Sequence, residues 1–118
     1  MITGAFYATP YKGGYLAFKV FAVTLTDEGA IIHITLYAAL FDRPEDVVLT
    51  EETPLFMAHL PIREEVLAPG ALHVSQGSVF PEEEQVYKNW LMEWNEGAAS
   101  ICAVPLAELL DELISSKG

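Results

Sequence analysis

The chain has 118 residues, of which 52% are hydrophobic, and its 17 carboxylates against 6 lysines and arginines give a formal net charge of -11. That length suits a single domain over residues 1–118, able to bury a core without staples. The charge disfavours nucleic acid and anionic membrane surfaces and favours basic partners, cations or plain solubility. The lone cysteine, Cys102, leaves no intramolecular disulfide, which fits a reducing, cytoplasmic home. The start "MITGAFYATP" lacks the basic and apolar regions of a leader, and the uncharged run Gly29 to Phe41 is shorter than the about 20 residues that cross a bilayer.

Residues Thr3 to Thr9 read as a first strand, and "PYKGG" turns the chain. Tyr15 to Leu25 is rich in Phe, Val, Leu and Thr and reads as a second strand. Asp27, Glu28 and Gly29 form a short hairpin loop, with Gly29 free to take positive φ. On the return strand, Ile31 to Phe41, Ile32, Ile34 and Leu36 alternate with His33, Thr35 and Tyr37, so the strand has two unlike faces. Between Gly4 and Val23 there is no carboxylate, as expected at the centre of a sheet, where an unpaired charge is costly.

A polar crossing follows, "FDRPEDVVLTEETP", with one helical turn after Pro44. "LFMAHLPI" reads as a strand, and Ala71 to Ser75 as a short one after the Pro69-Gly70 turn. Pro81 then opens an amphipathic helix with Glu82, Glu83 and Glu84 in its first turn and Gly97 as its stop. Val86, Trp90 and Trp94 recur every four residues, with the tryptophans read as core. "ASICAV" reads as a short buried strand. The last helix, "PLAELLDELISS", sets Leu106, Leu109, Leu110 and Leu113 on one face against Glu108, Asp111 and Glu112. The expected fold is α+β: an antiparallel sheet of five or six strands, curled into a small, partly open barrel, with two C-terminal helices.

No catalytic, metal or cofactor motif is visible. His33, His59 and His73 lack ligand spacing and read as ordinary half-buried histidines. Cys102 lies in an apolar context that raises a thiol pKa, so it reads as structural. "DRPEDVVLTEE" lacks the spacing and the glycine of an EF-hand loop.

The segments "GAFYATPYKGGYLAFKV", "FDRPEDVVL", "PLFMAHLPI" and "APGALHVSQGSVFPEE" follow one another in an order that resembles the family 26 immunity proteins of bacterial polymorphic-toxin systems. The resemblance covers roughly residues 3 to 84 and leaves out the two C-terminal helices. It implies a non-catalytic protein that binds and neutralises a cognate toxin, and it carries over no functional residues. An acidic, cofactor-free domain fits a basic toxin partner, since complementary charge speeds encounter. The candidate contact residues are Asp46, Glu51, Glu82, Glu83 and Glu84. Two alternatives remain open: a small-molecule or enzymatic barrel with a pocket near the tyrosines and His33 or His59, and a weak calcium-binding protein.

Overall fold

The computed structural model describes the backbone of residues 1–117 and the side chains as far as Glu112. Five strands form one antiparallel sheet: β1 (Ala5–Tyr11), β2 (Gly14–Thr26), β3 (Gly29–Phe41), β4 (Leu55–Arg63) and β5 (Leu72–Gln76). Their order across the sheet is β4-β3-β2-β1-β5. The helices are α1 (Glu64–Leu67), α2 (Pro81–Asn95) and α3 (Leu106–Lys117), with a single 3-10 turn at Pro44–Asp46. None of the described helices is long and apolar enough to cross a membrane.

The central hairpins arise from local chemistry. Between β1 and β2, Lys12 and Gly13 both have positive φ, 46° and 82°. That is the backbone of a two-residue turn whose twist matches the flanking strands. β1 begins at Ala5, two residues later than the sequence pattern suggests, because Gly4 has a φ of 84° and bends the chain. Gly4 donates to the Val20 carbonyl at 2.7 Å and accepts from Gly77 at 2.8 Å. A Cβ there would meet the Gly77 oxygen at 2.6 Å, so the crossing of these two segments requires glycine. Gly29, in the next hairpin, has the expected positive φ, 119°.

Strand alternation divides the sheet into two faces. One carries no buried charge and is apolar but for tyrosine hydroxyls. Tyr7, Leu16, Phe18, Val20, Ile32, Ile34, Leu36, Leu60 and Ile62 form a continuous core there with Leu67 of α1 and Leu106 and Leu110 of α3. Leu109 is partly buried against this core, whereas the side chain of Leu113, expected beside it, lies outside the described residues. Full burial of one such side chain contributes about 1.5–3 kcal/mol. The other face carries small residues, Ala8, Ala17 and Ala22, together with Phe21, Ile31 and the buried polar side chains Lys19, His33 and Thr35.

The expected antiparallel sheet with C-terminal helices is present, with five strands, and it stays open without closing into a barrel. β4 and β5 are its edges. Helices and the crossing segment already cover both faces, so closure is not needed to bury them. β5 is short, and β4 is irregular opposite Leu36 and partly capped by later chain. The cap is the "ASICAV" segment, which forms only one parallel bridge, Ile62 to Cys102, instead of a strand. Cys102 donates to Pro61 at 2.8 Å and accepts from Arg63 at 3.0 Å. The ladder stops there because Pro61 has no N–H to offer the preceding carbonyl, and β4 turns into α1 after Arg63.

Candidate functional site

α2 lies across the second face of the sheet and defines its chemistry. Positions three and four apart share one side of a helix. Glu83, Tyr87, Trp90 and Trp94 therefore turn toward the sheet together, while Glu82, Glu84 and Gln85 face solvent.

At the start of the helix, the Lys19 ammonium donates to Glu83 Oε1 at 2.7 Å. Lys19 is only 1% exposed. Its Nζ lies 4.0 Å from the centre of the Phe80 ring and 5.6 Å from that of Phe6. Both rings present negative π-faces to the charge. Glu83 Oε1 also accepts the Phe80 backbone N–H at 2.8 Å, so one oxygen both caps the helix and neutralises the lysine. Close by, burial and the Glu83 charge push the Tyr37 hydroxyl pKa up.

Further along α2 is a chain of hydrogen bonds. His33 Nδ1 and His59 Nε2 are 2.9 Å apart, His33 Nε2 and Thr24 Oγ1 are 2.9 Å apart, and Thr24 Oγ1 is 2.9 Å from the Tyr87 hydroxyl. Tyr87 donates onward to the Val23 carbonyl at 3.5 Å. One assignment satisfies every link: each group from His59 to Tyr87 donates to the next, with both imidazoles neutral. Burial, and then the neighbouring His59, lower the His33 pKa to about 3. Burial lowers that of His59 as well. Aromatic rings enclose the pair: the His33 ring centre lies 4.5 Å from Trp90 and 4.8 Å from Tyr87, and the His59 ring centre 5.2 Å from Phe21. Trp90 is buried and stacks on half-buried Trp94 at 5.3 Å. The Trp90 Nε1 is buried without a hydrogen-bond partner among the described residues.

This seam is neutral apart from one ion pair, and His33 is fully buried. Its evident effect is to fasten α2 to the sheet with polar and aromatic contacts in place of aliphatic ones. Two of the three histidines converge in it. His73 instead sits exposed on β5, with its ring 5.5 Å from that of Tyr7. Cys102 is half-buried, and its thiol lies 3.4 Å from the Val104 carbonyl. No group of three or more His, Cys, Asp or Glu among the described residues is arranged to hold a metal ion.

The acidic residues picked out from sequence fall into two segments, the crossing after β3 and the first turn of α2. Asp46 is exposed in the 3-10 turn, where its carboxylate meets Arg43 at 3.4 Å. Glu51 is exposed in the turn closed by the Thr53 N–H donating to Thr50. Glu82 and Glu84 are exposed in the first turn of α2, whereas Glu83 is 17% exposed and committed to Lys19. Phe6 links the two segments. It lines a recess of about 100 Å³ with Val47, Leu49 and Ser75, and it also flanks Lys19 at the foot of α2.

Sequence reasoning missed the seam. Its one available signal was Lys19 inside the apolar run "YLAFKVFAV", a charge on a central strand that demands a partner. Comparison of the chain with protein-family models, with characterised proteins and with solved structures finds no match.

Proposed function

We propose that this chain is a non-catalytic binding protein that docks a basic protein partner, in the manner of a toxin-neutralising protein, through the carboxylates of the crossing segment and the first turn of α2. The supporting observation is that Phe6 lines a recess with Val47 and Leu49 of the crossing segment and also flanks Lys19, which pairs with Glu83 in the first turn of α2. Among the described ion pairs, Arg43 meets Asp46 and Lys19 meets Glu83, whereas Glu51, Glu82 and Glu84 take part in none, although Lys88 stands one helical turn from Glu84. Such carboxylates attract a cationic surface and raise the encounter rate. Glu83 acts indirectly, by holding the helix on which its two neighbours stand.

The test is expression of the protein encoded by the adjacent reading frame, with and without this chain. The expected result is growth inhibition by the neighbour alone and relief on co-expression. A variant carrying Glu51→Lys, Glu82→Lys and Glu84→Lys should fold normally and lose the relief. A neighbour that is harmless, or relief that is indifferent to the three reversals, contradicts the proposal.

A second reading is a small-molecule site at the seam, favoured by the orphaned Trp90 Nε1 beside the His33–His59 pair. A ligand there would shift the tryptophan fluorescence, and a small-molecule screen read by that signal distinguishes the two readings.

A further inference from the structure

β2 outruns the strand beside it. β1 pairs with β2 only from Gly14 to Lys19, and Gly4 adds one bond to the Val20 carbonyl before the chain bends away. The N-terminal ammonium is drawn off to Glu64, at 3.3 Å. From Phe21 to Thr26, among the described residues, no strand pairs with β2 on its β1 side, although β3 pairs with it on the other. This leaves roughly 20 Å of strand edge at about 3.4 Å per residue. Backbone groups alternate sides along a strand. The Val23 carbonyl turns to the open side, where its only described partner is the long bond from Tyr87, and Leu25 follows on the same side. Leu25 is 83% exposed.

The edge borders a groove of about 560 Å³ between β2 and α2. Phe21, Val79 and Leu91 give it an apolar floor, Thr3 closes the end where β1 begins, and Glu84 and Lys88 stand at the rim. A free edge beside an apolar trough is the geometry by which an extended peptide adds to a sheet. The backbone ladder supplies affinity, and alternate side chains reach the trough.

We propose that this groove takes an extended segment of a basic protein partner, which adds as a strand along Val23 and Leu25 in the lattice position that β1 leaves vacant. The proposal rests on the reading of the chain as a protein-binding protein and names how it grips. Charge decides between occupants. A second copy of this chain offers the same edge, but a net charge of -11 on each copy opposes self-pairing. A cationic segment meets the attractive field of the chain's net charge, while at the rim itself Glu84 and Lys88 offset one another.

The test uses the whole chain and a phage-displayed library of random peptides of about twelve residues, long enough to cover the edge. The expected binders alternate apolar with Lys or Arg. Leu25→Pro removes an outward N–H without touching the β2–β3 ladder and should weaken these peptides roughly tenfold or more. In the unaltered chain, saturating peptide should slow hydrogen exchange at the Val23 and Leu25 amides, a readout that holds even where the proline variant folds poorly. Binders indifferent to Leu25→Pro, or no protection of those amides, overturn the proposal. So does failure to select any binder, or sedimentation of the free chain as a dimer with those amides already protected. Binders lost on Asp46→Lys, Glu51→Lys and Glu82→Lys but indifferent to Leu25→Pro retire the groove and leave the acidic-face reading standing.

Discussion

Removing the charge of Glu83 while keeping its shape isolates the ion pair on which α2 rests. In Glu83→Gln, the amide oxygen can still accept the Phe80 N–H that Glu83 accepts at 2.8 Å, so the helix cap survives. The Lys19 ammonium, 1% exposed, keeps that neutral oxygen and the Phe6 and Phe80 rings but loses its only countercharge among the described ion pairs. Stranding one member of a buried pair costs about 3–5 kcal/mol. Because Glu83 itself is 17% exposed and water can approach it, the lower end applies, about 3 kcal/mol. For a domain of this size, that lowers Tm by roughly 12 °C. Lys19→Met removes the buried charge and leaves a carboxylate that can turn to solvent, so its cost is smaller, about 1 kcal/mol. The double variant should resemble Lys19→Met alone. Urea denaturation of the four proteins gives the coupling energy directly. A coupling below about 0.5 kcal/mol would refute the reasoning, since surface pairs fall in that range.

Three further outcomes follow from the same geometry. The folded-state pKa of His33, about 3, lies below its ordinary value, 6.5, so the unfolded chain takes up the proton first. The stability linked to His33 is therefore complete above about pH 6.5 and declines as pH falls toward 3, by up to about 1.4 kcal/mol per pH unit; imidazole NMR should show His33 neutral at about pH 5, and titration near 6.5 contradicts this. Gly4→Ala forces a Cβ to 2.6 Å from the Gly77 oxygen at a φ of 84°, and chemical denaturation should show a loss of about 1–3 kcal/mol. Leu110→Ala, at a fully buried position of α3, should cost about 2–5 kcal/mol by the same measurement, whereas Leu25→Ala should stay within about 0.5 kcal/mol.

Elements whose signals are local were legible in the sequence. The alternation of Ile32, Ile34 and Leu36 with His33, Thr35 and Tyr37 marked β3 and its two faces, because strand period depends only on neighbouring residues. Pro81, the three glutamates and Gly97 bounded α2 in the same way. The seam was not legible, because it depends on which strand face meets which helix. His33 and His59 belong to different strands, and only the β3–β4 register brings them together. The partner of Lys19 lies 64 positions away. Glu83 shows the same limit. Its sequence neighbours mark it as one of three equivalent surface charges, and the helical period alone turns it inward. The open edge of β2 was hidden for a related reason, since it depends on where β1 stops, and Gly4 sets that point.

The central claim is that a preformed anionic face, mounted on a sheet and an α2 held by buried polar contacts, engages a cationic protein. Calorimetric titration with the product of the adjacent reading frame, at low and at high salt, tests it most directly. The account predicts tight binding whose Kd rises roughly tenfold or more as ionic strength passes from about 0.05 to 0.5 M, since exposed charges are screened over that range. A Kd unchanged by salt, or the absence of binding heat at either condition, would contradict it.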